Sequence, residues 1–145
     1  MDTFALHLVV EDVPRSISWY RDALGGTVTR ILRLPDGTVA TADLDLNGLP
    51  VALAAPVPGT MLATPKSTRT SVAAYRLSVP DADAAMATAL EAGATLSTPV
   101  QDAFWGVRTG EVLDPSGHRW AFDQHVRDVP LAELEARLAD LVSPS

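Results

Sequence analysis

Short runs of apolar residues, each bounded by polar turns, recur along the whole chain. Residues 4–10, FALHLVV, alternate and are rich in branched side chains, which predicts a strand. The next apolar residues recur at helical spacing instead, which predicts a helix that begins after the N-cap Asp12 and ends at Gly25. The apolar face of that helix consists of Ile17, Tyr20 and Leu24.

The order of strand, Asp, helix and Gly occurs a second time, about 69 residues further along the chain. Residues 72–79 form the second strand, Asp81 precedes an Ala-rich helix, and Gly93 ends that helix. Three more strands follow in each copy: 27–34, 38–44 and 50–55 in the first, and 94–99, 107–113 and 119–125 in the second. The sequence therefore predicts two βαβββ units, which share a core because neither covers its own sheet alone.

These units predict one domain over residues 1–145. It divides into a first repeat (1–55), a linker (56–70), a second repeat (71–126) and a C-terminal helix (128–142). The linker is rich in Pro and Thr and is a candidate flap over a pocket. The C-terminal helix is amphipathic, and we expect its apolar stripe either to cover the sheet or to contact a second copy. That stripe consists of Leu131, Leu134, Leu138 and Leu141.

The composition excludes several classes of function. The 145 residues fit one domain and contain no Cys, which excludes disulfides, thiolate metal sites and a Cys nucleophile and is compatible with the cytoplasm. The net charge of −7 argues against nonspecific nucleic-acid binding. The chain shows no signal-peptide pattern, no apolar run of the roughly 20 residues that cross a bilayer, no G-x-S-x-G elbow and no Gly-rich phosphate loop. We therefore expect a cytoplasmic protein that binds neither nucleic acid nor membrane.

The densest group of chemically active side chains lies between residues 102 and 125, DAFWGVRTGEVLDPSGHRWAFDQH. Pro and Gly in DPSG, residues 114–117, predict a tight turn between two strands. If that turn contains no bulge, Arg108 lies opposite Asp123 and can form an ion pair with it. This hairpin is the first place to look for a ligand site.

The duplicated pattern resembles the vicinal oxygen chelate superfamily, which includes glyoxalase I, extradiol dioxygenases, fosfomycin-resistance enzymes and bleomycin-resistance binding proteins. The resemblance is carried by LVVEDVPRSISWYRDALGG near the start, by Phe104-Trp105-Gly106 with Arg108, and by DPSGHRW from Asp114 onward. Within the superfamily the chain looks most similar to the phosphonate-operon-type, PhnB-like glyoxalase-like proteins. The resemblance implies an α+β fold in which two βαβββ repeats form curved mixed sheets around a cupped cavity, usually completed in a homodimer. It does not fix a reaction, because this fold hosts many functions.

Metal-using members of that superfamily place His, Glu or Gln at four equivalent inward positions. In this chain the four positions are Ala5, Ala52, Ala74 and Ala121. A methyl group cannot coordinate Zn, Fe or Mn. Shifting the alignment by two residues substitutes His7, Ala54, Arg76 and Asp123, of which only two could be ligands. We therefore expect no metal and no other cofactor, and hence no metal-dependent glyoxalase or dioxygenase chemistry.

If the four alanines face inward, strand alternation predicts which other side chains line the cavity. The Asn47-Gly48 turn places Asp43 opposite Ala52 and therefore on the same face. Trp105, in the aromatic loop, either stacks on a planar ligand or plugs the mouth of the sheet. The predicted ligand-binding residues are His7, Asp43, Arg76, Trp105, Arg108, Arg119 and Asp123. Alternatively, the charged members pair with each other in a structural network or lie at the edge in water.

Aromatic residues that alternate with the inward-facing positions of a strand are predicted to face away from the cavity. We expect Trp120 and Phe122 to pack under a helix and Trp19 and Tyr20 to lie in the same core. His118 falls in the tight turn, where we expect it to be exposed.

Three functions from different classes remain. The favoured one is metal-free binding of a metabolite or an antibiotic, as in the bleomycin-resistance proteins. The first alternative is a metal-independent isomerase or lyase that uses His7 or Asp123 as general base and an Arg to hold an anion. The second alternative is a metal-dependent glyoxalase or dioxygenase-like enzyme whose ligands come from His7, Glu111, His118, Asp123 and His125. Those ligands are not expected to converge, because alternation places Glu111 on the face opposite Asp123.

Overall fold

Each half of the chain forms a four-stranded sheet with one long helix against one of its faces. The computed structural model describes residues 4–143, so the ends of the predicted domain, residues 1–3 and 144–145, lie outside the described residues. The first half contains β1 (Leu6–Val9), α1 (Val13–Leu24), β2 (Thr27–Arg33), β3 (Val39–Leu46) and β4 (Leu49–Ala54). After the short helix α2 (Pro65–Thr68), the second half contains β5 (Ala74–Ser78), α3 (Ala82–Glu91), β6 (Thr95–Asp102), β7 (Val107–Leu113) and β8 (Arg119–His125), followed by α4 (Leu131–Val142).

The two sheets have the same topology. Their strand orders are β1-β4-β3-β2 and β5-β8-β7-β6. In each sheet the first strand pairs in parallel with the last, and the other pairs are antiparallel. The predicted α+β fold of two βαβββ repeats with a C-terminal helix is therefore confirmed.

Helices α1 and α3 each begin at the Asp that the sequence indicates. The carboxylate of Asp12 accepts a hydrogen bond from the Arg15 amide at 3.0 Å, and Asp81 accepts one from the Ala84 amide at 3.0 Å. Gly25 ends α1 with φ of 71°, a left-handed conformation that Gly adopts without a steric penalty. These caps fix where each helix starts above its sheet.

One hydrophobic core runs through both halves, because α1 and α3 pack against each other as well as against their own sheets. Trp19, Tyr20, Trp120 and Phe122 are all buried, as predicted. The rings of Tyr20 and Trp120 meet edge to face with their centroids 5.8 Å apart. Burial of each such side chain stabilises the fold by roughly 1.5–3 kcal/mol, so the core depends on residues from both repeats.

The β3–β4 hairpin has the predicted register. Asn47 and Gly48 both take positive φ values, 52° and 94°, as a two-residue turn requires. Asp43 therefore lies opposite Ala52.

The β7–β8 hairpin differs from the prediction by one residue. Asp114 and His118 are joined by a backbone hydrogen bond, so the loop contains three residues, and Gly117 closes it with φ of 90°. Thr109, not Arg108, lies opposite Asp123. The predicted pairing of Arg108 with Asp123 is wrong, because a shift of one residue turns every β7 side chain to the other face.

The β7–β8 turn is docked against the first half of the chain. The Glu11 amide donates a hydrogen bond to Ser116 Oγ at 3.0 Å, and His118 Nε2 lies 2.7 Å from the carbonyl oxygen of Val9. The prediction that His118 is exposed is therefore wrong: its ring is half-buried between the two repeats.

Asp114 is the centre of this docked turn. It is 3% exposed and accepts hydrogen bonds from the Tyr20 hydroxyl and from the amides of Ser116 and His118. Trp120 Nε1 donates to the Tyr20 hydroxyl oxygen at 3.0 Å. Burial raises the pKa of Tyr20 well above its usual value, and the nearby Asp114 charge raises it further. The hydroxyl therefore remains a donor to Asp114.

The linker packs against the docked turn. The Thr64 hydroxyl donates to Glu11 Oε1 at 3.0 Å, and the Lys66 amide donates to the carbonyl oxygen of Ser116 at 3.0 Å. Thr64 also caps α2 by accepting a hydrogen bond from the Ser67 amide. These bonds tie the middle of the linker to both halves; a role as a flap stays a prediction.

Helix α4 lies away from both sheets, and within residues 4–143 it packs against no strand and no other helix. Arg137 on α4 lies over the ring of Phe104, 5.7 Å from its centroid. Three leucines of its apolar stripe are exposed and Leu134 is half-buried, so the expectation that the stripe covers a sheet is wrong. A contact with a second copy stays a prediction. The longest described helices have 12 residues, and none is long and apolar enough to cross a membrane.

Candidate functional site

Each sheet has one face against its helix and one face turned away from it, which we call the open face. On the first sheet, His7 and Ala52 lie side by side on the open face, whereas the neighbouring Leu8 is buried under α1. On the second sheet, Arg76 and Ala121 occupy the matching pair of positions. Strand pairing adds to these faces Thr41, Asp43 and Ala54 in the first half, and Ala74, Thr109, Glu111, Arg119 and Asp123 in the second.

The residues at the metal positions that the resemblance implies do not fit a metal. Ala52, Ala74 and Ala121 lie on the open faces, and Ala5 immediately precedes β1. Their methyl groups offer no lone pair. Within residues 4–143, no three His, Asp or Glu side chains are close enough together to hold a metal ion.

A bidentate ion pair occupies the open face of the second sheet. Arg76 Nε and Nη2 each donate to a carboxylate oxygen of Asp123 at 2.7 Å. Thr109 Oγ1 donates to Asp123 Oδ1 at 2.7 Å and accepts a bond from Arg76 at 3.3 Å. Partial burial acts to raise the pKa of Asp123, but the hydrogen bonds from Arg76 and Thr109 outweigh it and leave that pKa below its usual value. The carboxylate is therefore ionised and its oxygens are already engaged.

A second pair lies further along the same face. Arg119 Nη1 donates to Glu111 Oε2 at 2.7 Å, and the Ser97 hydroxyl donates to the same oxygen at 2.9 Å. The expectation that Glu111 faces away from Asp123 is wrong, for the same one-residue shift in the β7–β8 register. Glu111 nonetheless binds Arg119, so the two acids do not converge on one point.

The open face of the first sheet is less polar. Asp43 forms an ion pair with Arg30 of β2, 2.8 Å between Nη2 and Oδ2. His7 is exposed beside Ala52. The remaining neighbours, Thr41 and Ala54, are small, so this face offers room rather than a network of charges.

Two predicted ligand-binding residues lie elsewhere. Arg108 is on the helix face, where its Nε is 2.7 Å from Asp83 Oδ2 of α3, so its placement in the cavity is wrong. The hydrogen bond from Arg108 lowers the pKa of Asp83. Trp105 lies in the β6–β7 turn, 45% exposed, with its ring edge-on to Phe104 and the centroids 5.1 Å apart. Its indole stays accessible for stacking.

The structure thus brings the predicted residues together in two groups. Arg76, Arg119 and Asp123 share the open face of the second sheet, and His7 and Asp43 share that of the first. No strand of one sheet contacts a strand of the other within residues 4–143. Sequence reasoning missed Thr109, which hydrogen-bonds both members of the Arg76–Asp123 pair, because the predicted register placed this residue on the opposite face.

Comparison with known proteins gives a consistent result. Residues 2–122 match the model of the Glyoxalase/Bleomycin resistance protein/Dioxygenase superfamily. An uncharacterised protein of Mycobacterium bovis is 38% identical over 136 residues, which cover 92% of this chain and 90% of that protein. The crystal structure of TioX from Micromonospora sp. ML1 is similar with a TM-score of 0.64 and 28% identity, covering 87% of this chain and 100% of TioX.

Further solved structures share the fold. A gene product of Arabidopsis thaliana is 29% identical with a TM-score of 0.70, covering 85% of this chain and 98% of that one. More distant chains include TnmS3 from Streptomyces sp. CB03234, described as an antibiotic binding protein, at 18% identity, and the fosfomycin resistance protein FosX from Listeria monocytogenes, at 11%. At those identities the likeness shows the fold alone. The duplicated βαβββ architecture and the matching family model agree: the chain belongs to the glyoxalase/bleomycin resistance protein/dioxygenase superfamily.

Proposed function

We propose that this protein binds a small organic molecule on its open faces without a metal ion, and that a second copy of the chain completes the site. The proposed ligand is a metabolite or an antibiotic, as for the bleomycin-resistance type of protein. Within the superfamily we place the chain nearest the PhnB-like proteins, on the sequence resemblance described above.

The four alanines carry this proposal. Metal-using members of the superfamily need N or O donors at these positions, and Ala5, Ala52, Ala74 and Ala121 supply none. Replacing large polar ligands by methyl groups also leaves apolar space beside a few charged groups. Apolar walls with a small number of placed polar side chains are typical of small-molecule sites.

The state of Asp123 favours binding over proton transfer. A general base must have a free lone pair near the proton and a pKa near the working pH. Asp123 accepts hydrogen bonds from Arg76 and Thr109, and its pKa is lowered. This carboxylate is therefore a weak candidate for the base of a metal-independent isomerase or lyase, and its pair with Arg76 is better suited to orienting a polar group of a ligand.

The separation of the two open faces supports a homodimer. His7 and Asp123 lie on different sheets, and within residues 4–143 no strand of one sheet packs against a strand of the other. A second copy whose open face covers that of the first would enclose a ligand between them. The exposed leucines of α4 add apolar surface that a second copy could bury.

Native mass spectrometry of freshly purified protein, combined with elemental analysis, tests the proposal. We expect a dimer with no stoichiometric divalent metal, and an organic adduct where the host supplies the ligand. In the double variant Arg76→Met/Asp123→Asn the adduct is expected to be lost. Arg21→Met, which removes an exposed ion pair on α1, is the matched control and should retain it. One divalent metal per chain would contradict the proposal, and conversion of the adduct to a product of different mass would favour the isomerase or lyase.

A further inference from the structure

A cavity of about 430 Å³ lies between the linker, the β7–β8 turn and the start of α1, and its walls are basic. We call it the linker pocket. Four cationic side chains line it: Arg15, Lys66, Arg69 and Arg119. Among these cations only Arg119 lies on the open face, and Leu113 and Thr95 pair beside it, so the linker pocket adjoins one end of the open face of the second sheet.

The charge of this pocket is opposite to that of the whole chain. The protein has 18 Asp and Glu but only 11 Lys and Arg, for a net charge of −7. Four of those 11 cations line the linker pocket, whereas Asp114 is the one carboxylate among its lining residues. Such local concentration of cations in an acidic protein attracts anions to one place.

Among the residues that the structure describes, Asp114 forms no ion pair with these cations. It is 3% exposed, and its carboxylate accepts bonds from the Tyr20 hydroxyl and from two amides of its own turn.

Two of the four cations already have carboxylate partners. Lys66 Nζ is 3.9 Å from Glu11, and Arg119 forms its short pair with Glu111. For Arg15 and Arg69, no carboxylate lies within 4.0 Å among the residues that the structure describes. Two guanidinium groups therefore remain to bind an external anion.

The backbone around the pocket is held in place. The amide of Lys66 donates to the carbonyl of Ser116, and the Ser71 hydroxyl donates to that of Gly117, at 3.0 and 3.4 Å. Arg69 ends α2 with φ of 63°, in the left-handed region where a helix normally ends with Gly. Non-Gly residues held in this region are strained, and such strain concentrates at functional sites. An Arg at this position gives up backbone freedom and places a guanidinium at the pocket.

We propose that the linker pocket binds the phosphate group of a small organic phosphate. The guanidinium fork of Arg matches two phosphate oxygens, and Lys adds a point charge. Hydroxyls of Thr70 and Thr95 line the pocket as additional donors, while Leu113 and Pro115 form an apolar wall for the organic part. The volume lies in the range of small-molecule sites, which is larger than an inorganic phosphate needs. This inference does not rest on the function proposed for the open faces.

NMR titration of the uniformly ¹⁵N-labelled chain tests the inference at constant ionic strength. The probes are inorganic phosphate and phenyl phosphate, with chloride making up the ionic strength. We expect saturable shifts of the amide signals of the linker and the β7–β8 turn, with phenyl phosphate binding more tightly than inorganic phosphate because Leu113 and Pro115 contact its ring. In Arg15→Gln/Arg69→Gln the affinity for phenyl phosphate is expected to fall by about tenfold or more.

Two control variants separate this site from general effects. Arg21→Gln removes one positive charge from the exposed face of α1 and should leave the affinity unchanged. Arg76→Met alters the open face and should also leave it unchanged, so failure of one proposal is distinguishable from failure of the other. Shifts that do not saturate, equal affinity for both probes, or wild-type affinity in the double variant would each overturn the assignment.

Discussion

The two repeats have the same fold but different chemistry on their open faces. His7 and Arg76 occupy matching positions, since each lies beside an alanine of the last strand of its sheet. Two residues further along those last strands, the first repeat has Ala54 and the second has Asp123. Arg76 therefore has a carboxylate partner on its own face, whereas the matching position beside His7 is a methyl group.

The same contrast holds along the neighbouring strands. Thr41 matches Thr109, because they lie opposite Ala54 and Asp123 respectively. Pro50 stands where the second repeat has Arg119. The first repeat therefore lacks equivalents of both Asp123, which binds Arg76, and Arg119, which binds Glu111. The helix faces of both repeats contribute to one shared apolar core, so the contrast in polar side chains between the repeats lies mainly on the open faces.

The largest expected effect distinguishes the docked turn of the second repeat from a free turn of the first. Asp114→Ala should lower the free energy of unfolding by about 3–5 kcal/mol, because three buried donors lose their acceptor. Urea denaturation measures this loss. Asp36→Ala is the control: that exposed carboxylate accepts from the Thr38 amide at 2.9 Å, and its loss should cost about 1 kcal/mol or less. Similar losses in the two variants would mean that the turn contributes little to joining the repeats.

A smaller effect compares the glycines of the two central turns. Gly48→Ala is expected to cost about 1 kcal/mol, since its φ is 94° but its new Cβ meets nothing within 4 Å. Gly117→Ala should cost about 2–4 kcal/mol, because strain at φ of 90° is joined by a Cβ only 2.9 Å from the Lys66 amide nitrogen. Thermal and urea unfolding of both variants measure the difference. Equal costs would show that the linker moves aside freely.

The smallest effect concerns the matching residues His7 and Arg76. Arg76→Met should cost about 1 kcal/mol near neutral pH, whereas His7→Met should have almost no effect, because within residues 4–143 Arg76 has an ionic partner and His7 has none. The pKa of Asp123 is lowered in the folded state, so its contribution is present above the unfolded pKa of about 4 and is lost as pH falls through the folded value.

Without Arg76, the pKa of Asp123 rises toward or above its unfolded value, because burial remains and one hydrogen-bond partner is gone. The loss of stability on acidification below about pH 4 should therefore be smaller in Arg76→Met than in wild type. Urea denaturation at neutral and acidic pH measures this. An unchanged pH dependence would show that Asp123 is held by Thr109 alone.

The fold could be predicted because its signals are local. Asp12, Asp81, Gly25 and the alternating strands each act within a few residues, and each lies where the pattern indicates. The Asn47-Gly48 turn also determines its own register, since that dipeptide favours a two-residue loop.

The site was harder to predict because it depends on one extra residue in the loop between β7 and β8. The segment from Asp114 to His118 is compatible with two loop lengths, and the choice between them decides whether Arg108 or Thr109 faces Asp123. The sequence also could not predict that the apolar stripe of α4 is exposed. Amphipathicity shows that a helix has an apolar face but not what covers it. The linker pocket could not be predicted from the sequence, because its cations come from three segments that are far apart in the chain.

The docked turn also has a consequence for how the chain is made. The bond between Tyr20 and Asp114 joins residues 94 positions apart, and that between Val9 and His118 joins residues 109 apart. Since a chain emerges from the ribosome N-terminus first, α1 can pack on its own sheet early but lacks α3 until much of the second repeat has been made. The Tyr20 hydroxyl has its Asp114 acceptor only after the last hairpin is synthesised.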